Sequence, residues 1–323
     1  MANATDKLRR MRNNVTLVGK LAELEVYEGT TQADVPYISV KGAIQCGTTK
    51  TEQAKFETFV QEYKIDPYTK KRTEKKLYKI VKDFLDRVKN PEKVDSYLTI
   101  ASVGEEKAAE CKLTGSFVAH DYVNAQNQLK ETTKINVTFY DTKEADEEYK
   151  ATADIEGYIR AITPEVRGED QIETGRLRLE LLTTDFFGNI VPMKYLYVPE
   201  ENADAVQSAY EPKQTATFYF DYVLTKSEAP QTSGGFGVKR AETRGYYELI
   251  AVGADSPIGE DNEKYYIAPE AIKIAMNERK AKLDELVEQG YQGDKKDNAK
   301  SSKPTARATT KATAATDVDE PVF

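Results

Sequence analysis

Two five-stranded β-barrels in succession, in a chain that is mainly β with a few helices, are what this sequence predicts, on three observations. Val15, Leu17, Gly19 and Leu21 alternate with Thr16, Val18, Lys20 and Ala22, which is the period of a half-buried strand. Gly19 falls on the inward row, where a missing side chain lets a long strand coil or a second backbone come close. This strand opens an order of three strands, a helix and two strands over residues 13–141. After an acidic interval the order starts again at Ala153, with Gly157 central in the new first strand.

Residues 37–46 alternate next, with Ile38, Val40, Gly42 and Ile44 inward and Tyr37, Ser39, Lys41 and Gln45 outward. In residues 56–63, Phe56, Thr58 and Val60 take one side, while Phe59, Tyr63 and the preceding Lys55 take the other. Tyr37, Lys41, Lys55, Phe59 and Tyr63 thus share an outward surface. Rings among lysines suit single-stranded nucleic acid, because bases stack on rings at about 1–3 kcal/mol each while amines follow the phosphates. A loop or the neighbouring domain covering Phe59 and Tyr63 is the competing reading. Residues 73–89 predict a helix, since Leu77, Ile80, Val81, Phe84, Leu85 and Val88 recur at three- and four-residue spacing and Asn90-Pro91 ends it. Its polar side, with Lys71, Arg72, Lys75, Lys76, Lys79 and Lys82, either flanks a groove or is a solvated face. Strands near 109–124 and 130–140 complete an order that is that of the OB-fold barrel.

Residues 142–152 are acidic and aperiodic, and predict a linker. The second barrel, residues 153–258, takes strands at 153–160, 176–183, 190–198, 215–225 and 245–253 and a short helix at 202–210. An Asp-Tyr-Val echo aligns residues 117–123 with 217–223. Arg176 and Arg178 alternate with Leu177, Leu179 and Leu181. A tight turn carries Phe186 and Phe187, and Tyr195 and Tyr197 follow. These rings either stack bases or plug a contact between domains. Between the last two strands a glycine-rich loop carries Phe236, Lys239 and Arg240, and in OB-folds that loop often lies over the ligand. Residues 259–292 hold a helix opened by Pro269, and residues 293–323 predict a disordered tail, being largely Lys, Ala, Thr and Ser.

The chain of 323 residues is long enough for two cores. Its net charge of −8 argues against nucleic acid only as a sum. The local distribution is what a phosphate meets, and cations crowd the N-terminal arm (residues 1–12) and residues 64–93. Cys46 and Cys111 form no Cys-x-x-Cys motif and read as reduced core thiols. One histidine, His120, leaves no zinc ligand set, and the motifs of hydrolases and nucleotide enzymes are missing. The expectation is a non-enzymatic protein without cofactors. No apolar run suits a signal peptide or a membrane span, so a cytoplasmic protein without membrane partners is expected, as monomer or homodimer.

The opening Asn-Asn-Val-Thr-Leu-Val-Gly-Lys-Leu, residues 13–21, resembles the first strand of bacterial-type single-stranded-DNA-binding proteins. The ending Asp-Val-Asp-Glu-Pro-Val-Phe, residues 317–323, resembles that family's acidic C-terminal tip. The resemblance implies a barrel that holds single-stranded DNA, and a tip that docks on replication, recombination and repair proteins through Asp317, Asp319, Glu320, Pro321 and Phe323. The chain departs from the family in its double length, the inserted Val322, the absence of tryptophan and the lysine-rich helix, as a bacteriophage-encoded version would. The rival class is a tandem-barrel structural or adaptor protein that binds protein with the same aromatic faces.

Overall fold

The computed structural model describes residues 8–47, 52–167, 171–228, 243–262 and 264–291. The first half runs β1 (Asn13–Thr30), β2 (Pro36–Gln45), β3 (Gln53–Gln61), a small ribbon of β4 (Tyr63–Ile65) and β5 (Arg72–Glu74), α1 (Lys76–Arg87), α2 (Ile100–Val103), β6 (Glu110–Val123) and β7 (Leu129–Thr142). The second runs β8 (Lys150–Arg167), β9 (Ile172–Thr184), β10 (Ile190–Val198), α3 (Glu200–Ala209), β11 (Thr215–Glu228), β12 (Thr243–Ala254) and α4 (Pro269–Gln289).

Each half closes on itself. β1 pairs antiparallel with β2, β2 with β3 and β7 with β6, β6 returns to β1, and β3 with β7 is the one parallel contact. β8, β9, β10, β12 and β11 repeat that ring, with β10 and β12 parallel. Both rings are the five-stranded Greek-key barrel of the OB-fold. The glycine of the opening strand does what its place suggests: a Cβ on Gly19 would run into the carbonyl of Gln45, and one on Gly115 into that of Asn136.

The repeat can be read in register. Gly19 lies opposite Cys111, and Gly157 opposite Ala216. One extra residue bulges just beyond each glycine, Ala22 in β1 and Arg160 in β8. The bulges opposite the fourth strands, one extra residue in β7 and one in β12, then equate Gly115 with Phe220, so Asp221 answers Ser116 and not Asp121. The Asp-Tyr-Val echo is therefore a coincidence: register is set by bulges and by close backbone approach, and three shared residues on a surface strand do not fix it.

β1 and β8 also pair with each other, antiparallel, from Asn13 opposite Ile155 to Val18 opposite Lys150. Val15 lies opposite Ala153, its own equivalent, so a pseudo-two-fold axis passes between them. A single apolar cluster, including Leu17, Phe56, Phe84, Phe117, Ile155, Phe218 and Phe220, runs through both barrels. The sides of the axis differ. Asn13 is buried, donates to the carbonyls of Phe117 (2.9 Å) and Thr184 (3.1 Å) and accepts from the Phe117 amide. Its equivalent is Ala151, and there a cleft of about 330 Å³ remains between the barrels, lined in part by Cys46, Tyr222 and Tyr247.

The predicted helix of 73–89 begins three residues late, because Arg72–Glu74 pairs with Tyr63–Ile65. Its stripe is buried as expected, with Phe84 against Tyr140 at 4.7 Å between centroids. The acidic interval is tied down, since Glu147 pairs with Lys112 at 2.9 Å and Lys150 at 3.6 Å. α4 spans both barrels. Ile272 packs with Leu8, Met11, Tyr158 and Leu182, and further along Arg279 reaches Asp121 (2.7 Å) and Glu131 (3.1 Å) on the β6–β7 hairpin. Among the described residues no helix is long and apolar enough to cross a membrane.

Candidate nucleic-acid interface

The outer face of the first barrel is laid out by β2, β3, β7 and β6. Alternation buries Ile38, Val40, Ile44, Phe56, Thr58 and Val60, so the residues between them point out. Lys41 lies opposite Glu57 and Ser39 opposite Phe59, and the parallel contact sets Asn136 beside Glu57. Across the middle of this face runs a row of charge: Glu57 Oε1 is 3.7 Å from Lys41 Nζ, and Oε2 is 2.6 Å from Lys134 Nζ. On one side of the row sit rings. Tyr37 and Phe59 are 5.3 Å apart and tilted by 37°, and Phe59 is 59% exposed. Phe139, further along β7 in the same direction, is 63% exposed. On the other side are the exposed Lys55 and, on β6, His120 with Tyr122 at 5.6 Å.

Two groups of the row titrate away from their ordinary values. Burial pushes the Glu57 carboxyl up, but the hydrogen bond and charge of Lys134, together with the charge of Lys41, outweigh this and hold it below the usual value. His120 is lowered, first by lost hydration and then by the charge of Lys134. Its imidazole is therefore neutral at pH 7.

Tyr63, Lys71 and Arg72 stand apart from this row, on the β4–β5 ribbon. Arg72 lies over the Tyr63 ring at 5.9 Å, and Tyr68 at the ribbon tip is 93% exposed. Asp66 shapes that tip by accepting from the Tyr68 and Thr69 amides at 2.9 and 2.7 Å.

The second barrel carries different chemistry at the matching places. Arg178 corresponds to Lys41, Tyr197 to Glu57 and Glu248 to Lys134. Tyr197 is not an exposed ring: it is 8% exposed, covered by the Arg176 guanidinium at 4.3 Å. Burial, then the charges of Glu248 and Glu165, push its hydroxyl up to about 12. Arg176 is likewise taken up, pairing with Glu165 at 3.4 Å and Glu248 at 3.3 Å. Arg167 pairs with the same two buried carboxylates. Arg178 pairs with Glu180 at 3.4 Å and lies over Tyr195 at 5.2 Å. Tyr195 sits on a bulge with φ of 63°. The positions of Phe59 and Phe139 count out here as Pro199 and Gly253. The ring cluster of the first barrel thus has no counterpart in the second.

Phe186 and Phe187 are both exposed, at 66% and 69%, in an edge-to-face pair at the β9–β10 turn. Asp185 builds that turn by accepting from the Phe187 and Asn189 amides, and Arg10 lies over Phe186 at 4.7 Å. Phe236, Lys239, Arg240 and the tip residues Asp317, Asp319, Glu320, Pro321 and Phe323 lie outside the described residues. Cys46 and Cys111 are free and buried, and burial pushes both thiols up to about 12.

Sequence reasoning passed over Lys134, Phe139, His120, Tyr122 and Tyr68. Strict alternation sends Phe139 inward with Ile135 and Val137. The extra residue of β7 opposite Thr114 and Gly115 turns it out and Tyr140 in. The glycine at 115 was the available signal, since a glycine inside a strand often marks a bulge.

No curated protein matches the chain. Among solved structures it is similar to a deletion mutant of the single-stranded DNA binding protein from Thermus aquaticus, at 12% identity and a TM-score of 0.45, covering 81% of this chain and 100% of that one. The wild-type form of the same protein gives 12% identity and a TM-score of 0.44 over 77% of this chain and 95% of that one. A family model described as YorF matches residues 12–289. That span takes in both barrels and the helix that bridges them, and the chain belongs to the YorF family.

Proposed function

We propose that the protein binds single-stranded DNA on the outer face of its first barrel. The observation that carries this reading is the juxtaposition there of three outward rings, Tyr37, Phe59 and Phe139, with Lys41, Lys55 and Lys134. Rings that stack any base and amines that follow the backbone bind without strong sequence preference. Phe186, Phe187 and Arg10, with the β4–β5 ribbon, extend the surface to either side. In this reading the protein coats and protects single-stranded DNA during replication, recombination or repair, in a bacteriophage setting. The resemblance of residues 13–21 and 317–323 to bacterial-type single-stranded-DNA-binding proteins supports it. Asp317, Asp319, Glu320, Pro321 and Phe323 then recruit partner proteins, and no catalysis is involved. Fluorescence anisotropy of labelled oligo(dT) tests the reading. Binding should weaken steeply as salt rises, and no binding at low salt refutes it. Removing residues 317–323 should tighten binding at low salt by relieving competition for the cationic face.

A further inference from the structure

We propose that Glu57 stands in for a DNA phosphate on the first barrel, and that a strand must displace its carboxylate from Lys41 and Lys134 before it can be seated. The proposal rests on the reading of this face as a single-stranded-DNA surface and adds to it a built-in attenuator. Glu57 is the centre of the row, with one oxygen facing each ammonium. A phosphodiester offers the same feature, two terminal oxygens sharing one negative charge, and Lys is a common phosphate partner. The exposed ring of Phe59 lies one outward position further along β3, about 7 Å away by strand geometry. A base stacked on that ring brings its own phosphates to the level of the two lysines.

The carboxylate and the phosphate cannot share the cradle. Like charges at that separation repel, so Glu57 has to rotate into solvent or take up a proton. It is free to rotate, being tied only by side-chain contacts on a face where Glu57 and Lys134 are each about a third exposed. The device belongs to the first barrel alone, because Tyr197 stands at the matching place in the second. Its effect is to lower the affinity of every polyanion, so that one bringing phosphates without bases to stack is held least.

The test is a titration of labelled oligo(dT) at low salt with the wild-type full chain, Glu57→Gln, Lys134→Gln and the double variant, with melting curves to verify folding. Glu57→Gln should bind about tenfold tighter. Lys134→Gln should cost more affinity in the Glu57→Gln background than in the wild type, because there the amine is not already paired. Glu57→Ala provides the same removal of charge with a different side chain. Equal or weaker binding by folded Glu57→Gln and Glu57→Ala overturns the proposal while leaving the DNA-binding reading in place. Failure of every protein to bind overturns both.

Discussion

At the scale of single residues, exposure separates side chains open to a ligand from those that hold the protein together. Phe59 and Phe139 are mostly in solvent. Replacing either with Ala should cost oligo(dT) binding about 1–3 kcal/mol while leaving the melting temperature nearly unchanged. Glu248 is the opposite case. It is 1% exposed and carries two arginines, so Glu248→Ala should destabilise the protein by about 2–3 kcal/mol, measured by denaturant unfolding, with little effect on the first barrel's face. His120 gives a pH signature. The folded state binds its proton more weakly than the unfolded chain does. Stability is therefore full above the ordinary histidine value of 6.5, falls as pH drops from there to the depressed folded value, and levels off below it. Thermal melts of His120→Gln should be flatter across that window. Most of the first barrel's residues could be read from alternation, but their partners could not. The ties of Arg176 reach from β9 to Glu165 on its hairpin neighbour β8 and, 72 residues further on, to Glu248 on β12, and no local pattern shows the second.

Elements were legible wherever their own period decided them. The ten barrel strands and α4 answer to hydrophobic alternation and to Pro269 as a helix opener. The start of α1 was not, because Arg72–Glu74 found a strand partner that helix periodicity cannot see. α2 is only Ile100–Val103, held by a reciprocal cap between Thr99 and Ser102, and is too short to have a period. α4 makes a prediction of its own. Arg279 is nearly buried between Asp121 and Glu131, while Lys282 reaches Asn189 on the β9–β10 turn at 3.2 Å. The helix thereby joins a hairpin of one barrel to a turn of the other. Arg279→Ala should raise amide exchange in residues 119–132 selectively, with the β1–β2 and β8–β9 ladders unchanged, as hydrogen-exchange mass spectrometry can measure.

At the scale of the whole molecule, the β1–β8 seam and the shared core make the barrels one cooperative body, so calorimetry should give a single transition. A fragment ending at residue 148 would leave the seam edge of β1 bare. It should dimerise by pairing Val15 with its own copy, which analytical ultracentrifugation would detect. The seam has a further consequence. A polynucleotide has a direction, five-prime to three-prime, whereas a two-fold axis turns every arrow around. If both barrels gripped one strand in the same manner, that strand would have to double back between them. A covalently joined pair escapes this dilemma, since each half mutates separately and one can give up its grip while the other keeps it. On the proposed reading of the first barrel's face, the polarity of such a ligand is a physical reason for the twin barrels to differ as they do.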